Sequence, residues 1–448
     1  MSVFRAYDIR GLYPIEIDDE LARKIGSAFG TLLKKQYGDD IKVAVSRDAR
    51  VHGPQVQSAF IDGLASTGAL VYNIGMTPTP LVYYTVVKHN LDAGVSVTAS
   101  HNPKEYNGFK LCLRAAEPLG ERGIKELEQT IQTEEYAEGQ GRVEELNVLD
   151  DYIADMSEKF KLSRKLKVVI DAGNGVAGIT APKIFRNIGC EVTEMYCEPD
   201  GNFPNHVADP LVKETLKNLR VKVTEVGADF GVAYDGDGDR SGFVDGNGNI
   251  IKNDEAFAIM IKYAAQQGQG FTVVYDISSS KVVEDVIKQS GGTPLVSRVG
   301  YPFLRATMKE KGCIMGGEGS GHYFFRENNG YDDAVFASLV FTKMASEKSI
   351  DELMGSLPKY ITSDDTRIDC PDAIKFQIPD RIKESLKSQG IGYNDIDGVK
   401  AAMGNGWFLI RPSNTVPKIV LRWEGSNEEE FRKIGEFARQ QLDKAMES

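Results

Sequence analysis

Residues 230–240 read Phe-Gly-Val-Ala-Tyr-Asp-Gly-Asp-Gly-Asp-Arg, an apolar run that ends in three carboxylates separated by single glycines and closed by an arginine. The run 230–234 predicts a strand. Asp and Gly form neither strands nor helices well, so 235–240 is expected to be the loop beyond its carboxyl end. Glycine lets the backbone curl until alternate carboxylates converge, and hard divalent cations want such oxygen ligands. An EF-hand opens with a similar alternation but needs Gly at its sixth place and Glu at its twelfth. Those places hold Arg240 and Gly246 here, so that reading fails. Arg240 beside Asp235, Asp237 and Asp239 suggests instead an ion that shares its site with a phosphate, because a guanidinium grips phosphate oxygens. A solvated acidic turn is the plainer alternative.

The same plan of strand and then polar loop recurs twice. One unit runs through a strand at 41–45 leading to Asp48, a helix after Gly53, a strand at 69–74 and a strand at 94–97, then Thr98-Ala99-Ser100-His101-Asn102-Pro103. The unit containing the aspartates has a strand at 167–170 leading to Asp171, a Gly173-Asn174-Gly175 loop, a helix to Gly189, a strand at 191–196 and a helical stretch at 212–226. A third has strands at 272–275, 294–297 and 313–315, helices to about Gln289 and at 302–311, and the loop Gly316-Gly317-Glu318-Gly319-Ser320-Gly321-His322. Alternating strands and helices predict parallel-rich α/β units with ligand-handling residues beyond the strands' carboxyl ends. From about Thr362 the pattern changes to short strands at 406–410 and 418–423 with a closing helix at 427–446. A loop, Arg411-Pro412-Ser413-Asn414-Thr415-Val416-Pro417-Lys418, joins those strands and suits a phosphate as well as a plain hairpin turn. The expected fold is therefore α/β: three similar mixed-sheet α/β domains plus a C-terminal α+β domain around a central cleft. The boundaries are expected at 1–152 (domain I, phosphoserine loop), 153–253 (II, metal loop), 254–361 (III, sugar loop) and 362–448 (IV, phosphate loop).

A chain of 448 residues exceeds what one core can organise. A net charge of −12 disfavours nucleic acid or an anionic membrane as partner, so an anionic substrate would need local basic residues and a cation. No run of 18 apolar residues occurs, and charges begin at Arg5, which predicts neither a membrane span nor a signal peptide. The five scattered cysteines suit reduced core thiols and a cytoplasmic protein. A homo-oligomer is left open.

Ser100 follows a strand in a sharp turn made by Asn102 and Pro103. A hydrolytic triad with His101 is weak, because adjacent side chains at a strand end point apart and no Gly-x-Ser-x-Gly elbow exists. Phosphoryl transfer fits better, since it needs a hydroxyl and a cation, and Ser100 with the three aspartates supplies both. Lys110, in Asn107-Gly108-Phe109-Lys110, could polarise a transferring phosphate or be a surface lysine. His322 could be a general base or a structural histidine. Glu318 and Ser320 could hold vicinal hydroxyls. No P-loop is present, which argues against a kinase of that class.

On these residues the chain resembles the α-D-phosphohexomutase family, in its phosphomannomutase/phosphoglucomutase branch. The likeness rests on Tyr7-Asp8-Ile9-Arg10-Gly11, on 98–103 with 107–110, on 235–240, on 318–322 and on 411–415, in order along the whole chain. The resemblance implies a four-domain protein whose cleft gathers one loop from each domain. Ser100 would rest as phosphoserine and, with Asp235, Asp237 and Asp239, bind Mg²⁺. Tyr7, Arg10, Glu318 and Ser320 would contact substrate, and Arg411, Ser413, Asn414 and Thr415 would clamp the phosphate not being transferred. The implied reaction converts a hexose 6-phosphate (mannose and/or glucose) into the 1-phosphate, or the reverse, with a hexose 1,6-bisphosphate as intermediate and activator. His101, Lys110, Arg240 and His322 are the catalytic candidates, and the sequence does not rank them. The alternatives are a phosphoglucosamine mutase on the same scaffold and a Mg²⁺-dependent sugar phosphatase. Gly319, Val416 and Tyr301 depart from the branch pattern of a larger residue such as Met, a Glu and a His, which leaves the preferred hexose open.

Overall fold

The computed structural model describes residues 3–413 and 417–447. In each repeat the first strand is central and the other two flank it in parallel. Lys42–Arg47 lies between Leu70–Met76 and Ala93–Val97, and Lys167–Asp171 between Glu191–Met195 and Phe230–Tyr234. Thr272–Asp276 lies between Thr293–Ser297 and Met315–Gly317. The central strand and the last strand of each repeat are apolar and mostly buried, as parallel pairs favour, whereas the flanking Leu70–Met76, Glu191–Met195 and Thr293–Ser297 are only partly covered. The last sheet is antiparallel, running Ile361–Thr362, Lys418–Gly425, Gly406–Pro412, Val399–Met403, Tyr393–Asn394, with Thr366–Asp369 also on Lys418–Gly425. The α/β multi-domain architecture expected from the repeat is the one observed.

The sequence pattern missed the strands that make the first two sheets mixed. Tyr106–Leu113 pairs antiparallel with Ala93–Val97, and Ser241–Asp245 with Phe230–Tyr234. The Ser100 loop and the aspartate loop are therefore both hairpin connections. Ile9–Leu12 is added outside Tyr106–Leu113 and carries Arg10 to that edge. The helix expected from 212 begins only at Lys217. Before it, Asp209 Oδ1 accepts from Leu211 N and Thr215 Oγ1 donates to the Asp209 and Val212 carbonyls, local bonds that compete with the helical ladder. The third repeat's last strand is shifted to Met315–Gly317. Arg411 and Pro412 end a strand rather than opening a loop.

Two compact units form: Met1–Ala256 with Ser320–Leu353, and Phe257–Gly319 with Met354–Ser448. In the first, helix Ala334–Glu347 lays Phe341 on Phe243, ring centroids 4.3 Å apart. The N-terminus of that helix, at Ala334 N, donates to the Gly238 carbonyl of the aspartate loop (3.3 Å). In the second, the terminal helix Glu428–Glu447 buries Ile434, Ala438 and Leu442 in the core of the antiparallel sheet, with Phe408 and Leu421. Among the described residues no helix is long and apolar enough to cross a membrane.

Helices Asp19–Tyr37 and Gly53–Ala65 cover the first sheet together and touch backbone to backbone. Asp18 caps the former by accepting from Leu21 N (2.8 Å). A Cβ on Gly26 would stand 2.1 Å from the Phe60 carbonyl oxygen, and one on Gly63 would stand 2.0 Å from that of Arg23. No flexible side chain can yield there, so Gly63→Ala must separate the helices, at about 2 kcal/mol. The expected outcome is a lowered melting temperature for Gly63→Ala and an unchanged one for Gly355→Ala, where a Cβ meets nothing within 4 Å. Thermal denaturation of both variants is the check.

Candidate active site

Strand Ala93–Val97 is buried throughout and delivers Ser100 into the interior rather than to the surface. Ser100 is left-handed (φ 53°), a conformation an L residue adopts only when its surroundings impose it. Its Oγ donates to Asp235 Oδ2 at 2.8 Å. The serine and the aspartate loop, 135 residues apart, are thus brought together. The positive φ also turns Ser100 out of strand geometry, so its Oγ lies 3.2 Å from His101 Nδ1, where a strand end would have held the two side chains apart.

The aspartate loop curls around its first member. Asp235 Oδ1 accepts from the backbone N of Gly238 (3.0 Å), Asp239 (3.1 Å) and Arg240 (3.2 Å). Gly238 has φ 75°, and a Cβ on Gly236 would meet the Ser100 carbonyl at 2.6 Å. Glycine at 236 is therefore what allows the two loops to touch. Asp237 Oδ2 accepts from Thr79 Oγ1 (2.7 Å) and Lys110 Nζ (2.6 Å), and Asp239 Oδ2 also accepts from Lys110 Nζ. Lys110 is 3% exposed, so the surface-lysine alternative is wrong. Strand Tyr106–Leu113 buries it facing two carboxylates that, against desolvation, hold its ammonium above the ordinary lysine pKa.

The three aspartates make a donor set of hard oxygens. One oxygen from each of Asp235, Asp237 and Asp239 lies within 4.8 Å of the others, and all three residues are buried. Asp237 Oδ1 and Asp239 Oδ1 are buried with no hydrogen-bond partner among the described residues. Burial, together with Asp239 and Asp237, pushes Asp235 well above the usual carboxylate range. Burial acts upward on Asp239 too, but Lys110, His322 and Arg240 hold it well below. Orphaned oxygens and a carboxyl driven toward protonation by its neighbours are what a hard divalent cation relieves, so the residues fit one. Asp239, His322 and Asp332 form a second buried group, but Arg240 Nε donates to His322 Nε2 at 3.1 Å and occupies that lone pair.

Arg240 joins both histidines, since its Nη1 donates to His101 Nδ1 at 2.6 Å. His322 Nδ1 lies 3.0 Å from Ser320 Oγ, so the ring is held from both nitrogens. Burial first, then Arg240, Arg10 and Lys110, keep His101 well below the ordinary histidine pKa. Arg10 pairs with Asp8 (2.8 Å) and donates to Asn102 Oδ1 (3.1 Å), bracing the serine loop; Tyr7 is half-buried two residues before strand Ile9–Leu12 and acts on Arg10 electrostatically.

In the second unit, Glu318 Oε1 accepts from Gly300 N (2.7 Å) and Asp397 Oδ2 from Val299 N (3.0 Å). Arg411 pairs with the same Asp397 oxygen (3.3 Å). The turn at 299–300 therefore holds Glu318 on one side and, through Asp397, Arg411 on the other. Tyr301 is buried at the head of helix Tyr301–Lys311. Ser413 N donates to the Lys418 carbonyl (2.8 Å). Asn414, Thr415 and Val416 lie outside the described residues.

Sequence reasoning missed Thr79, Asp48, Arg50 and Asp397. Only Asp48 carried a signal, because an aspartate closes the first strand of all three repeats, at 48, 171 and 276.

Profiles of the phosphoglucomutase/phosphomannomutase α/β/α domains I, II and III match residues 1–138, 150–248 and 252–360, and that of the C-terminal domain matches 366–441. A phosphomannomutase/phosphoglucomutase of Pseudomonas putida is 38% identical over 98% of this chain and 95% of its own. A phosphoglucomutase/phosphomannomutase of Thermococcus kodakarensis is 33% identical over 99% of each. The crystal structure of a phosphoglucomutase/phosphomannomutase family protein from Burkholderia thailandensis superposes with a TM-score of 0.94 at 34% identity, covering 99% of this chain and 97% of that one.

Because His101 is lowered, its linkage to stability has a definite sign. The contribution is fully present above the unfolded histidine value of about 6.5 and is lost as pH falls, since the unfolded chain then binds the proton more readily. His206 goes the other way: burial lowers it, but the hydrogen bond and charge of Asp171 (3.2 Å) win and raise it. On acidification His206 is expected to take its proton before His101. Histidine ring ¹⁵N shifts followed against pH measure this, and the reverse order would contradict the environment described for His101.

Proposed function

Because this chain belongs to the phosphoglucomutase/phosphomannomutase family and is a hexose-phosphate mutase, we propose that it interconverts the 6- and 1-phosphates of mannose and/or glucose with Ser100 as the phosphoryl carrier. The observation that carries this reading is the 2.8 Å bond between Ser100 Oγ and Asp235 Oδ2 of the buried aspartate cage. Asp235, Asp237 and Asp239, with an oxygen on Ser100, would hold Mg²⁺. Bound there, the ion supplies positive charge to the oxygens of the phosphoryl group in flight.

In the forward half-reaction the bond between phosphorus and Ser100 Oγ breaks as phosphorus bonds to the substrate hydroxyl oxygen. That hydroxyl loses its proton and Oγ gains one. His101 meets Oγ through Nδ1 (3.2 Å), the nitrogen to which Arg240 Nη1 also donates (2.6 Å), so it would move a proton at Oγ only once substrate draws Arg240 away. Lys110, held charged by Asp237 and Asp239, offers positive charge rather than a base. Arg240 orients both histidines. The hexose 1,6-bisphosphate so formed is proposed to return its other phosphate to Ser100 after reorienting, and to activate the enzyme by charging that serine. Tyr7, Arg10, Glu318 and Ser320 are the proposed substrate contacts, and Arg411, Ser413, Asn414 and Thr415 the contacts to the phosphate that stays on the sugar. Domain boundaries at 152/153, 253/254 and 361/362 go with these roles.

Intact mass and product analysis test the carrier directly. The purified protein is expected to carry one phosphate that Ser100→Ala lacks, and that variant should form no hexose 1-phosphate. Inorganic phosphate in place of the sugar isomer would indicate a phosphatase instead. Asp237→Asn is expected to weaken Mg²⁺ binding in calorimetry and to slow turnover by about 10²-fold, given several kcal/mol of charge stabilisation from a metal. Undiminished activity of that variant at limiting Mg²⁺ would refute the cage assignment.

A further inference from the structure

Arg50 is the largest fully buried side chain of the first unit, with 0% exposure, and none of the steps above uses it. All five of its N–H donors have acceptors. Nε donates to Asp48 Oδ2 (3.0 Å); Nη1 to the carbonyls of Pro103 (2.6 Å) and Tyr106 (2.8 Å); Nη2 to those of Ser100 (3.0 Å) and Asn102 (2.7 Å). One guanidinium therefore gathers the whole connection between strands Ala93–Val97 and Tyr106–Leu113. The other face of Ser100 is tied to the same ion pair. Its N–H donates to Thr98 Oγ1 (2.8 Å), and Thr98 Oγ1 donates to Asp48 Oδ2 (2.6 Å). Asp48 is itself set by accepting from Arg50 N (3.0 Å). The neighbouring sheet's connection seals the pair: Phe203 lies over the guanidinium (5.5 Å), and a Cβ on Gly201 would stand 2.3 Å from the Ala49 carbonyl oxygen.

We infer that the buried Asp48–Arg50 pair, working through Thr98, is the positioning device of the mutase: it clamps both the N–H and the C=O of Ser100 and so aims Oγ at the aspartate cage. A serine at φ 53° relaxes toward ordinary geometry unless both of its peptide groups are held. A closed circuit of hydrogen bonds around a fully donating guanidinium is a rigid way to hold them. Lysine cannot substitute, because one ammonium has three donors at a single point and cannot reach four carbonyls and a carboxylate. The inference rests on the reading of Ser100 as the phosphoryl carrier.

The test is steady-state kinetics on the full-length protein for Arg50→Lys, the nearly isosteric Thr98→Val, and the double variant, each first checked for folding by circular dichroism. Displacing a reacting atom by about 1 Å costs on the order of 10²-fold in rate. Arg50→Lys should lower kcat about 10²-fold and Thr98→Val about tenfold, with KM for the hexose phosphate within about threefold, since ground-state binding contacts are untouched. Both changes open the same circuit, so the double variant should be no slower than Arg50→Lys alone. An unchanged kcat in either folded single variant, a loss confined to KM, or losses that multiply would overturn the inference. If Arg50→Lys does not fold, Thr98→Val decides alone by the same criteria. Ser100→Ala separates the two readings: residual full mutase activity in it removes the carrier and this inference together, whereas a silent Ser100→Ala beside fully active Arg50→Lys and Thr98→Val removes only the positioning role.

Discussion

Three carboxylates cannot share a dry interior without positive charge to answer them, and the first unit is organised around that constraint. Burying an ion costs several kcal/mol unless partners are built around it. Here the partners come from separate strands: Lys110 across Asp237 and Asp239, Arg240 beside the same loop, and three backbone N–H groups converging on Asp235. The remaining orphaned oxygens of Asp237 and Asp239 describe the place for one more cation. Ser100 bonds to the cage directly, and His101 and His322 bond to Arg240 at the end of its loop, so the charge gathered around the acids is also what aligns these three groups.

The repeat shows how one scaffold position was used three ways. Asp48, Asp171 and Asp276 each close a central strand, and each accepts from the backbone N two residues on: Arg50, Gly173 (2.9 Å) and Ser278 (2.6 Å). Such a turn fixes the carboxylate and leaves its second oxygen for the neighbouring loop. Asp48 spends it on Thr98 and the serine loop, Asp276 on Gly319 N (3.0 Å) beside Glu318, and Asp171 on His206. In the first and third repeats, then, the strand-end aspartate braces the loop that carries the proposed chemistry.

Much of this was legible along the chain. Uninterrupted apolar runs such as 230–234 mark strands covered on both sides, and glycine spacing at 235–240 marks acids meant to converge, because both are properties of neighbouring residues. Strand Tyr106–Leu113 was not legible, since Asn107, Gly108 and Lys110 interrupt its pattern. Those same residues are inside only because Ile9–Leu12 and Ala93–Val97 flank them and because Lys110 finds two aspartates there.

The chain alone therefore determined the α/β repeat, the carboxylate set and the serine-bearing loop, all written in local spacing. Partnership was decided only by the tertiary structure. Whether Lys110 is solvated or buried, that Arg240 reaches His322, and that Arg50 grips Ser100 are outcomes of contacts spanning from 50 to 135 residues. Hydrogen bonds and ion pairs of that separation depend on which side chains the packed sheets bring within about 3 Å, a quantity no local pattern contains.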